Sequence, residues 1–212
     1  MSYIGQPLKR FEDPRLLTGG GTFVDDLQLP DMLSAVVLRS PHAHARICAL
    51  EASMARRLPG VVQVLTAEDL VGMVKDIPPR PTPELAGVTV PEHPVLARDK
   101  VCYVGQPVVV VVAHNRYLAH DALERIAVEY QPLPPMMDTW AAAQEGASPI
   151  HDAFGTNVAM RICEGRGDLQ AAFAQADVII RGRYEVPRLS LAPMEGRGLL
   201  AHYQAEADLL TL

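Results

Sequence analysis

VLARDKVCYVGQPVVVVVAHNRYLAHDALERIAVEYQPLP, residues 95–134, is the stretch that decides the fold class of this chain. Its centre, PVVVVVA at 107–113, is an uncharged β-branched run of strand length, the pattern of a fully buried strand. Directly after it, Asn115 stands where a helix cap belongs. Leu118, Ala119, Ala122, Leu123 and Ile126 then recur at the spacing of one helical face. The pattern switches again at AVEYQPLP, a strand, while the residues before the run read as two short strands. Strand, helix and strand joined by short links make an α/β unit packed on a sheet.

Working outward, LSAVVLRS at 33–40 reads as a buried strand broken at Pro41, and ARICAL at 45–50 as a second. EASMARRLPG predicts a short helix closed by Pro59-Gly60, VVQVLTA a third strand, and AEDLV at most one helical turn. Residues 75–94 carry six prolines, too many for a ladder or a helix interior, and form a loop. The opening residues mix Pro7, Pro14 and the triple glycine 19–21 with charges, which suits an arm and a flexible turn. Neither phosphate-binding glycine pattern is present there.

Beyond Pro132, Pro134 and Pro135, a polar, alanine-rich stretch to about Ser148 predicts one short helix and a linker. NVAMRICEGR alternates like a strand. GDLQAAFAQAD places Leu169, Ala172, Phe173 and Ala176 on one helical face, with Asp168 as its cap, and VIIRGRYEV reads as a further strand. LLAHYQ and ADLLTL read as two more strands.

Composition narrows the function classes. With 212 residues and 49% apolar content, the chain can bury a sizeable core. A net charge of −6 argues against a nucleic-acid surface. No run approaches a membrane span, and the N-terminus lacks the apolar centre of a secretory signal. Cys48, Cys102 and Cys163 are isolated and odd in number, as expected of reduced thiols, so a cytoplasmic location is expected.

Few residues point to chemistry. His42 and His44 have an H-x-H spacing that on a strand puts both imidazoles on one face. Without a neighbouring thiolate or carboxylate, hydrogen bonding at strand ends is favoured over metal binding. No Gly-x-Ser-x-Gly elbow is present, and three lone cysteines cannot hold a four-thiolate cluster. The adjacent acids Asp25 and Asp26, and Glu68 and Asp69, suit solvated loops. The distinctive stretch is APMEGRG, where Glu195 and Arg197 sit among glycines that permit close backbone approach. They could pair with each other or with a neighbouring domain, or line a pocket for an anionic ligand. A structural ion pair is the favoured reading.

Several segments, in order, resemble one family: IGQPLKRFEDPRLLTGGGTFVDD, RSPHAHARI, LPGVVQVLTAEDL, the stretch 95–134, and APMEGRGLLAHY. They are similar to the molybdenum-cofactor subunit of the xanthine dehydrogenase and aldehyde oxidase group, and most of all to the large subunit of carbon monoxide dehydrogenase-like enzymes. The resemblance implies a mixed α+β chain. It would comprise an N-terminal arm at 1–18, an α/β hammerhead domain at 19–132, a linker at 133–156 and, at 157–212, the incomplete beginning of the molybdopterin-binding domain. The family corner usually reads Met-Glu-Pro-Arg. Here Gly196 replaces the proline, so Glu195 and Arg197 stand only as weak cofactor-binding candidates.

The same resemblance implies a function. Complete relatives hydroxylate a carbon centre, or oxidise carbon monoxide, with oxygen derived from water, and pass electrons through iron–sulfur clusters to flavin. This chain would supply the hammerhead wall and part of the shell around a molybdenum–molybdopterin cofactor, and no catalytic or metal-ligating residue can be mapped onto it. Alone it is expected to be inactive and to hold no tightly bound cofactor. Its expected partners are the remainder of the molybdopterin-binding subunit (same gene or adjacent split chain) and the iron–sulfur and FAD subunits, with no nucleic acid and no membrane. Unpaired edges on the last two strands would favour a homo-oligomer. The alternative is a free-standing hammerhead module for binding or assembly, without redox activity.

Overall fold

The computed structural model describes residues 3–78, 88, 91, 93–161 and 164–212. In chain order the elements are α1 (Asp13–Leu17), β1 (Ser34–Arg39), β2 (Ala45–Glu51), α2 (Ser53–Arg56), β3 (Val61–Leu65), β4 (Lys100–Val101), β5 (Pro107–Ala113), α3 (Arg116–Leu123), β6 (Ala127–Pro132), α4 (Thr139–Ala142), α5 (Leu169–Ala174), β7 (His202–Gln204) and β8 (Leu209–Thr211). Single 3-10 turns occupy Val24–Asp26 and Asp152–Phe154. The chain divides into two compact units, Asp31–Gln175 and a second made of Met1–Pro30 with Ala176–Leu212.

In the larger unit, β5 lies at the centre of an antiparallel sheet of order β1-β5-β3. A central strand satisfies its backbone on both sides, so its side chains can be apolar throughout. Val108, Val109, Val111 and Ala113 have no exposed surface. Helix α3 covers the sheet through Ala119 and Ala122, both fully buried, whose small side chains let the helix lie close. Asn115 caps it as expected, its Oδ1 accepting from the Leu118 N–H at 2.9 Å.

Gly60, with φ +85°, admits α3 where the chain turns into β3. A Cβ there would stand 2.6 Å from Leu118 Cδ1. The turn is tied to the end of β5 by the His114 N–H donating to the Gly60 carbonyl at 3.0 Å.

A second antiparallel sheet, of order β4-β2-β6, has a register shift between Ile47 and Ala49. Only Lys100–Val101 of the two short strands expected before β5 forms a ladder. Leu96 and Ala97 are buried instead in irregular backbone, where the Ala97 N–H donates to the Pro107 carbonyl at 2.8 Å. Burial, which the apolar pattern reports, does not require a ladder. The proline-rich loop expected at 75–94 lies largely outside the described residues. Asp138 and Asp168 cap α4 and α5, their carboxylates accepting from Trp140 and Ala171 N–H groups.

The smaller unit departs further from expectation. The arm contains α1, with Pro14 in its first turn, a short helix that the weak periodicity did not reveal. β7 and β8 form a hairpin, with the Tyr203 hydroxyl donating to Asp208 at 2.8 Å. Residues 178–186, expected as a strand, join no ladder among the described residues, and Val178, Ile180 and Val186 are 75%, 86% and 88% exposed. In the larger unit, the described residues of 157–166 form no strand either. Alternation marks a chain able to pair, but a strand exists only where a partner supplies N–H and C=O groups. Among the described residues no helix is long and apolar enough to cross a membrane.

Candidate functional site

The corner at residues 193–198 belongs to the smaller unit and is exposed throughout. Glu195 Oε1 accepts from the Val24 N–H at 3.1 Å. This replaces the expected ion pair, since among the described residues none joins Glu195 to Arg197. The geometry favours the backbone: a carboxylate beside an N–H at the start of a turn satisfies a donor that the turn leaves free. Gly198 is needed where it stands, because a Cβ there would lie 2.9 Å from Val24 Cγ1. Gly196 faces open space, so the glycine at that position answers to no crowding.

A metal–pterin cofactor would find no cradle in this corner. Its carboxylate is already engaged, no wall of buried side chains encloses it, and among the described residues no group of three or more His, Cys, Asp or Glu could hold a metal ion. The residues present do not form a holder for the group by themselves.

His42 and His44 lie in irregular backbone before β2 rather than on the strand, so the strand alternation behind the expected common face does not apply. His42 packs its ring on Tyr130 at 4.9 Å, and its backbone N–H donates to the buried Ser40 Oγ. His44 Nδ1 lies 2.9 Å from the Pro134 carbonyl, and the Leu133 N–H returns a bond to the His44 carbonyl. The His44 imidazole thus hydrogen-bonds at a strand end, whereas the bonds at His42 are made by its backbone and its ring packs on Tyr130.

The structure also assembles a polar cluster around Lys100 on β4, which spacing did not suggest. Its ammonium donates to the Ile150 carbonyl at 2.6 Å and to Asp152 Oδ2 at 2.8 Å, with the side chain 15% exposed. The lysine's hydrogen bond and charge hold the Asp152 carboxyl below its ordinary range. Burial first, then Lys100, lowers the His151 pKa, with Asp152 opposing. Burial pushes the Cys102 thiol up. Asn157 ties the segment to its neighbours in the chain: its Oδ1 accepts from the Ile150 N–H at 2.8 Å, and its Nδ2 donates to the carbonyls of Ser148 at 3.0 Å and Ala142 at 3.4 Å. The only sequence signal for this cluster was a lysine opening a buried strand, which many structural lysines share.

Residues 18–134 match the family model of the aldehyde oxidase and xanthine dehydrogenase a/b hammerhead domain, and residues 150–212 that of the molybdopterin cofactor-binding domain. The chain is 40% identical to the 6-hydroxypseudooxynicotine dehydrogenase complex subunit gamma of Paenarthrobacter nicotinovorans, over 99% of this chain and 26% of that one. It is 37% identical to the carbon monoxide dehydrogenase large chain of Afipia carboxidovorans, over 91% of this chain and 24% of that one. The structure is similar to quinoline 2-oxidoreductase from Pseudomonas putida 86, with a TM-score of 0.86 and 38% identity, covering 96% of this chain and 25% of the other. The chain thus spans about a quarter of the length of the relatives it matches.

Proposed function

The chain belongs to the aldehyde oxidase and xanthine dehydrogenase family, and from that premise we propose that it forms the hammerhead wall and part of the cofactor shell of a molybdenum hydroxylase large subunit. The observation that carries this reading is the succession of a hammerhead match at 18–134 and a molybdopterin cofactor-binding match at 150–212. The proposed division is an arm at 1–18, the hammerhead at 19–132, a linker at 133–156 and molybdopterin-domain sequence at 157–212.

The activity proposed for the assembled subunit is oxidation of a carbon centre with oxygen from water. The relatives' names refer to a nicotine derivative, carbon monoxide and quinoline, so the reading commits to the reaction class and not to one substrate. The molybdenum–molybdopterin group would carry the redox step, and protein groups would position and tune it. Glu195 and Arg197 are proposed as wall groups bordering that shell, not as ligands of the metal. The partners proposed are the rest of the molybdopterin-binding subunit and iron–sulfur and FAD subunits. Names such as "complex subunit gamma" and "large chain" support a multi-subunit setting. A cytoplasmic location is proposed, supported by the free thiols Cys48 and Cys102.

The test is co-expression of this chain with the polypeptide completing the molybdopterin domain and with iron–sulfur and FAD subunits, followed by molybdenum analysis and dye-linked oxidation. The expected result is metal and turnover that disappear when this chain is omitted, and neither from the chain alone. Stoichiometric molybdenum with turnover from the isolated chain would overturn the reading, as would full activity of an assembly lacking it.

A further inference from the structure

We propose that residues 178–186 form a docking strand, which pairs through its backbone with a sheet edge in the remainder of the molybdopterin-binding subunit and turns Val178, Ile180, Tyr184 and Val186 onto that sheet's apolar side. The inference rests on the proposed function and adds to it the surface through which the two parts meet.

The segment already has the geometry of a strand. It runs without a turn or bend from 178 to 193. Contacts along it join residues two apart, the spacing that brings side chains to the same side of a strand. The Tyr184 ring lies across Gly182, where a Cβ would stand 2.9 Å from its hydroxyl. Arg183, in turn, pairs with Glu185. Val178, Ile180, Tyr184 and Val186 thus share one side of the strand, and Arg181, Arg183 and Glu185 the other.

What the strand lacks is a neighbour. Among the described residues, no backbone group of Val178, Ile180, Tyr184 or Val186 makes a hydrogen bond, and all four side chains are exposed. Backbone groups of alternate residues point to the same edge, so these four present one edge of donors and acceptors together with one apolar side. An occupant must answer both, which calls for a strand belonging to a sheet with an apolar side. A helix groove would leave the backbone unpaired, and a nucleic acid would leave the apolar side uncovered.

The remainder of the subunit is the occupant that the observations favour. The segment lies inside the 150–212 match to the molybdopterin cofactor-binding domain. Quinoline 2-oxidoreductase covers 96% of this chain with 25% of its own, so most of that relative's length lies outside the shared part and can hold the neighbouring strand. A second copy of this chain fits less well. Antiparallel pairing that lays the four apolar residues on one another is centred on Gly182 and sets Arg181 opposite Arg183 twice, and like charges directly opposite are destabilising.

Hydrogen exchange tests this on the full chain alone and on its assembly with the polypeptide completing the molybdopterin domain. At least alternate amides of 178–186 are expected to exchange about a hundredfold more slowly in the assembly, while those of β5 are unchanged. Ile180→Asp alters an exposed side chain, so the chain alone should keep its β5 protection. In the assembly the carboxylate would meet the apolar side, and the amount of chain recovered with its partner should fall about tenfold. An assembly in which 178–186 exchanges as in the chain alone would overturn this inference and leave the proposed function standing, and so would wild-type recovery of Ile180→Asp. Failure of the wild-type chain to assemble overturns both. Slowing of the same amides in the chain alone as its concentration rises would assign the strand to a second copy, against the proposal. If Ile180→Asp loses β5 protection, the wild-type comparison decides.

Discussion

Replacing Gly60 by alanine is expected to destabilise the larger unit by about 2–3 kcal/mol, from two separable causes. The first is conformational. Gly60 sits at φ +85°, and a left-handed backbone costs a residue with a Cβ roughly 1–2 kcal/mol. The second is crowding, since the new Cβ would stand 2.6 Å from Leu118 Cδ1 on α3. The offending atom is a terminal methyl, so Leu118 can turn aside at the expense of its own packing, at the low end of overpacking costs, about 1 kcal/mol.

Gly105 separates the two causes. Its φ is +87°, but nothing lies within 4 Å of the position a Cβ would take, so Gly105→Ala carries the conformational cost alone. Urea unfolding followed by helical circular dichroism reports mainly the larger unit, where α2 to α5 reside. With a slope of about 2 kcal/mol per molar urea, Gly60→Ala should shift the midpoint about 0.5 M further than Gly105→Ala. In a Leu118→Ala background the excess should vanish, because the two changes touch the same space. A Gly60→Ala midpoint equal to or above that of Gly105→Ala would refute the close approach of α3.

Two further outcomes are expected. Asp69 Oδ2 accepts from the Thr66 N–H and hydroxyl, each at 2.8 Å, and from Arg56 at 2.7 Å, and the Thr66 bonds chiefly lower its pKa. Its contribution is therefore complete above the ordinary carboxylate value, about 3.9, and lost as pH falls through the lower folded value, so Asp69→Asn should flatten that part of the acid stability profile in thermal melts. An unchanged acid limb would count against the bonding described. Glu195→Ala removes the acceptor for the Val24 N–H. The Val24 amide should then exchange several-fold faster while β5 amides are unaffected, and an unaltered Val24 rate would mean that the contact is absent in solution.

The sequence by itself determined the elements whose cause is local. An uncharged β-branched run must be buried, and in β5 it is the central strand. Asn115 and Asp168 cap helices through N–H groups three residues away, so their roles are legible in the residues themselves. The resemblance to the molybdenum hydroxylase large subunits was legible for a related reason, because it is carried by short ordered segments that can be read without knowing their contacts.

What only the tertiary structure decided are the partners of residues far apart in the chain. Glu195 meets the Val24 N–H across 171 positions, and Lys100 reaches Asp152 across 52. His42 and His44 fall outside the strand alternation because β2 begins only at Ala45. The alternation at 178–186 produced no ladder, since pairing depends on a second strand that a local pattern cannot specify. Periodicity records which side of an element is apolar, whereas a site is made by the few polar groups that folding brings within hydrogen-bond range.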